Sequence, residues 1–127
     1  MPDRQIETFE IEIPRAMAYR LLGIRRGGRA PRPSAMAMID AAFAEAKDLV
    51  EARAVLGFSH GGLPGSDHLP AVVPLVAVVC TIGPALEARV SELAARGESA
   101  RAAVLDAVGS AAAEEVAAAS NRLIRQL

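Results

Sequence analysis

Apolar and charged positions alternate over residues 9–13, FEIEI, which is the two-residue period of a strand with one wet face. Pro14 ends that run and suits the first position of a helix. Residues 16–22 supply a short one, with Met17, Tyr19 and Leu21 available for packing, and Gly23 stops it. The Arg/Gly/Pro stretch through Pro33 reads as a loop. Ser34 is a good N-cap. Beyond it Met36, Ile39, Phe43, Ala46 and Val50 recur at helical spacing, so the pattern predicts a helix from Ser34 to about Arg53. Residues 54–58 admit a short strand before the turn-rich SHGGLPGSDHLP of residues 59–70.

Residues 75–81, LVAVVCT, are apolar up to the last. A continuous Val-rich run predicts a strand buried on both faces, usually a central one. Pro84 then opens a helix over residues 85–96, with Leu86, Val90 and Leu93 on one side and Gly97 as its stop. From Glu98 one long helix runs to near Arg125. Val104, Leu105, Val108, Ala112, Val116, Ala119 and Leu123 trace its apolar face. Gly109 sits inside it at a cost of about 1 kcal/mol against Ala if exposed, and its small size lets another element approach. This order of elements predicts a single α+β domain, a small sheet packed with long Ala-rich helices and the C-terminal helix at its centre.

Composition refines that picture. The 127 residues suit one domain, and at 52% hydrophobic they can build a core, but aromatics are only 3% and Trp is absent. Alanine dominates instead, so the core is expected to bring backbones close together rather than interlock large side chains. A net charge of −1 gives no reason to expect nucleic acid or an anionic membrane as partner. The basic stretch holding Arg20, Arg25, Arg26, Arg29 and Arg32 has no aromatic residue interleaved for base stacking; it reads first as a solvated loop and second as a contact for an anion or acidic partner. With one cysteine, no signal-peptide core and a longest apolar run broken by Pro70 and Pro74, the expectation is a soluble cytoplasmic protein.

Three stretches carry candidate chemistry. The strand-to-helix joint Thr81-Ile82-Gly83-Pro84 presents the free N–H groups of a helix start, where an anionic group could dock, although it lacks the repeated glycines and the lysine of a nucleotide loop. Cys80 beside it has no basic neighbour in sequence and reads as an inert buried thiol. His60, Asp67 and His68 in the turn-rich segment have metal-ligand chemistry but lack a metal-site spacing, and no nucleophile elbow accompanies Ser59 or Ser66. On the last helix Asp106, Ser110 and Glu114 stand four apart, so they share one stripe. That stripe reads either as a wet outer face or, were the helix buried all round, as a ligand-binding row.

The succession TIGP with Leu86, then Gly97-Glu98, then Leu105-Asp106-Ala107 with Gly109-Ser110, Ala113 and Glu114 resembles the activation domain of cobalamin-dependent methionine synthase, in particular its stand-alone relatives. AYRLLGI at residues 18–24, followed by a long helix, looks similar too. The resemblance implies binding of S-adenosylmethionine, a role in reductive remethylation of inactivated cob(II)alamin, and an electron-donating partner; cofactor and donor would carry the chemistry while the domain binds and positions. The joint and the stripe, both of which fall within the resemblance, make Thr81, Gly83, Asp106, Ser110 and Glu114 the candidate ligand-binding residues. The family's Arg/Pro/Gly/Tyr-rich segment does not follow the last helix in this sequence, so the expectation is a shortened core that docks to a corrinoid protein or methyltransferase and has no catalytic activity of its own. The rival expectation is a structural protein without a small ligand, whose Ala-rich final helix pairs with its twin in a homodimer. An enzyme using Cys80 or the His60/Asp67/His68 segment ranks last, because no spacing fits a catalytic constellation.

Overall fold

The structure, a computed structural model, describes residues 4–59 and 75–127. The chain runs β1 (Arg4–Phe9), α1 (Arg15–Leu21), α2 (Pro33–Leu49), β2 (Ala52–Ser59), β3 (Leu75–Thr81), α3 (Ala85–Ala95) and α4 (Ser99–Arg125), an α+β arrangement. The strands form one antiparallel sheet in the order β1-β2-β3.

Opposed residues of an antiparallel pair share a face. Ala54 therefore lies between Glu7 and Cys80, Leu56 between Gln5 and Val78, and Val55 between Ile6 and Val79. The face of Ala52, Ala54 and Leu56 is buried beneath helices. On the other face Ile6 and Val79 are 69% and 70% exposed, so that side is open.

α4 is the centre of the molecule, packing on α1, α2, α3, β2 and β3. Leu105, Val108, Ala111, Ala112 and Val116 are almost fully buried along it. Around them lie Ala18 of α1, Ala42 and Ala46 of α2, and Leu86 and Leu93 of α3, a core with much alanine. The helix continues without a break through Gly109. Polar contacts add to the apolar ones where α2, α3 and α4 converge. Glu45 accepts a hydrogen bond from Arg89 at 2.5 Å and lies 3.7 Å from Arg101. That bond holds the Arg89 guanidinium further above its ordinary pKa.

Three expectations are corrected. The first strand covers residues 4–9 and not 9–13. Its partner β2 begins at Ala52, opposite Phe9, so residues 10–13 lie beyond the ladder. Their alternation serves another purpose: Ile13 packs on the helical core while Glu10 and Glu12 face solvent. Second, α2 stops at Leu49 and the chain turns through Val50, whose backbone is extended. Residues 52–59 are then a full strand and the central one, a larger element than the short strand allowed for. Third, β3 is an edge strand and not a doubly buried one. The helices cover one face of the sheet only, which leaves Val79 in contact with solvent, and Val76, on the helix side near the start of the strand, is still 37% exposed.

Candidate functional site

The joint between β3 and α3 is built by its own residues. Thr81 Oγ1 accepts the Gly83 N–H at 3.0 Å, closing a small turn, and Gly83 takes φ +80°, a conformation that side chains with a Cβ disfavour. The Ile82 carbonyl accepts the Glu51 N–H at 2.8 Å, which ties the joint to the start of β2. A Cβ on Gly83 would come within 3.1 Å of the Glu51 Cβ. Pro84 then caps α3, and Glu87 sits in its first turn, where a negative charge complements the helix dipole. Thr81 is exposed and Gly83 half-buried.

Asp106, Ser110 and Glu114 form one exposed stripe along α4, together with Ala103, Ala113 and Ala117. α4 is thus covered on the remaining sides and wet on this one. The three polar side chains make no hydrogen bond or ion pair among the described residues, and none bonds to Thr81 or Gly83. The structure connects the two groups through packing instead: Leu86, the residue two beyond Pro84, lies against the backbone of Gly109, the residue before Ser110.

Cys80 points to the helix side of the sheet and is half-buried. Ser120 of α4 donates its hydroxyl proton to the Val116 carbonyl at 2.8 Å. Its oxygen, 3.5 Å from the Cys80 sulfur, is left to accept the thiol proton. This pairing involves no base. His60, Asp67 and His68 lie outside the described residues. Among the described residues no group of three His, Cys, Asp or Glu is placed to hold a metal ion.

A cleft of about 1300 Å³ opens elsewhere, between residues 9–15 and the adjoining face of α2. Phe9 and Phe43 give it aromatic walls, Glu10, Glu12 and Lys47 give it charge, and Glu115 of α4 closes one side. Arg15 lies over the Phe43 ring at 4.3 Å from its centroid while bonding Asp40 at 2.8 Å and the Tyr19 hydroxyl at 3.2 Å. The Tyr19 and Asp40 bonds raise its pKa above the ordinary arginine value, so it stays a cation in any accessible buffer. None of the five residues singled out from sequence lines this cleft. Two of the chain's three phenylalanines, Phe9 and Phe43, line it.

No protein-family model matches the chain, and no curated protein matches it. Among the described residues no helix is long and apolar enough to cross a membrane.

Proposed function

We propose that this protein is an accessory binding module of corrinoid methyl-transfer chemistry, built on a shortened core of the activation-domain type, which binds S-adenosylmethionine or docks to a corrinoid protein through the exposed row of α4. One observation carries the reading. The two most distinctive words of the resemblance, TIGP with Leu86 and Gly109 with Ser110, are in contact: Leu86 fills the space beside Gly109. A glycine is needed there for the approach of α3, and the same helical turn presents Ser110 on the outside between Asp106 and Glu114. The core is therefore supplied by the inner half of the motif, and the outer half is free for a ligand or partner. The cleft beside Phe43 is a second place of suitable size and mixed polarity for an adenosyl group.

Calorimetric titration with S-adenosylmethionine, and separately with a cobalamin-loaded methyltransferase domain, tests this. The reading expects heat with at least one of them. It expects Asp106→Arg with Glu114→Arg to abolish docking while leaving the melting temperature nearly unchanged, because both side chains are exposed and unpaired among the described residues. Absence of heat and of any thermal shift with both ligands removes the proposal.

A further inference from the structure

The two edges of the sheet differ in kind. β1 carries Arg4, Gln5, Glu7 and Thr8, with Gln5 donating a hydrogen bond to Glu7, and such polar side chains discourage further pairing. β3 has no charged residue and no proline over its length. Its register with β2 runs one to one from Leu75 opposite Ser59 to Thr81 opposite Arg53, without a bulge. Among the described residues no strand lies along its outer edge. An edge of this kind presents a row of N–H and C=O groups whose natural complement is another strand.

We propose that β3 pairs antiparallel with β3 of a second copy, joining the two three-stranded sheets into one across a twofold axis at Val78. Charge and register select a second copy as the occupant. Read against itself about Val78, the strand sets Leu75 opposite Thr81, Val76 opposite Cys80 and Ala77 opposite Val79. Leu75 with Thr81 and Ala77 with Val79 are outer-face pairs, Val76 with Cys80 is a helix-side pair, so each pair stays on one face, and no ionised group meets another. A net charge of −1 leaves little repulsion between whole copies. The long helix offers less for such contact, since its apolar face is already covered by α1, α2, α3 and the sheet. The outer-face apolar row Ile6, Val55 and Val79 would run on into the partner's sheet, from Val79 to Ala77 of the second copy. This inference rests on the two edges and stands apart from the binding reading above.

Sedimentation velocity over a dilution series tests it, with two double variants at exposed positions. Ala77→Lys with Val79→Lys sets lysine opposite lysine twice in the proposed register, and the dissociation constant should rise about tenfold or more. Ala77→Glu with Val79→Lys sets opposite charges at the same places and should keep the dimer. Thermal unfolding of each variant, followed by circular dichroism, checks that both fold. A wild-type monomer at every concentration overturns the proposal. A dimer indifferent to the two lysines overturns it as well, and so does loss of the dimer in both double variants, which refutes the register.

Discussion

A Cβ on Gly109 would stand 2.5 Å from Cδ2 of Leu86, so the leucine side chain lies directly on the backbone of α4. Leu86 is 2% exposed and packs with Leu93, Leu105 and Val108, which leaves it little room to retreat. Gly109 is thus retained in the middle of a long helix for a steric reason, against its poor helix propensity.

Gly109→Ala should therefore lower stability despite favouring the helix. Overpacking a core costs about 1–3 kcal/mol, and the helix gains about 1 kcal/mol from the exchange, so a net loss of about 1 kcal/mol is expected. Leu86→Ala alone should cost about 2–5 kcal/mol. The double variant should lose less than the sum, because the new methyl group enters the space the leucine vacates. Urea unfolding of the four proteins measures this, and strict additivity would show that the two residues do not meet.

Gly83→Ala should cost about 1–2 kcal/mol for the left-handed backbone, and more because the added methyl presses on Glu51. Thr81→Ser keeps the hydroxyl that accepts the Gly83 N–H and should be nearly silent. Thr81→Val, of the same shape without the acceptor, should cost about 1 kcal/mol. If Thr81→Val is as stable as the wild type, the turn is held by other contacts.

How far the sequence foretold these features depended on residue type. The long helix was legible because Leu105, Val108, Ala112 and Val116 keep a 3.6-residue period over about three turns. The end of α2 was not. Ala52 and Ala54 are buried at a strand's two-residue spacing, but alanine suits a helix better than any other residue and its small side chain gives a weak periodic signal. Only Leu56, continuing the same face, marks the strand clearly. β3 was legible as a strand but not as one with an open face, since a Val-rich run looks the same whether its second face meets a helix or solvent. Of the five residues marked from sequence, the exposed placement of Asp106, Ser110 and Glu114 follows from helical geometry alone. The cleft was hidden because its walls come from segments as far apart in sequence as Phe9 and Phe43, and such a juxtaposition leaves no local pattern.

Glu45 should act as an electrostatic tie among three helices. It bonds Arg89 of α3 and lies near Arg101 of α4, with its side chain 28% exposed. Glu45→Gln should lower the unfolding midpoint at low salt. The difference from wild type should shrink as ionic strength rises toward 1 M, where the screening length falls to about 3 Å. Arg89 and Arg101 keep Glu92 and Glu98 as partners, so the loss should be partial. A deficit independent of salt would mean that packing, not charge, is the contribution of Glu45.

Ser120 distinguishes a structural thiol from a reactive one. Its hydroxyl is buried between α4 and β3, donating to the Val116 carbonyl and accepting from Cys80. Ser120→Ala should be mild, at most about 1 kcal/mol, because the Val116 carbonyl keeps its helical bond and a thiol is a weak donor. Ser120→Leu should cost about 1–3 kcal/mol or more, since the site has room for a hydroxyl and not for a branched chain. Cys80 reports on the same contact. Its sulfur is half-buried against Ser120 of α4, so a neutral-pH thiol reagent should modify it more slowly in the folded protein than in urea. Ser120→Leu, by separating α4 from β3, should accelerate the reaction. Modification of the native protein at the unfolded rate would show that Cys80 is not covered by α4, and the sheet-to-helix packing at this end of the molecule would have to be redrawn.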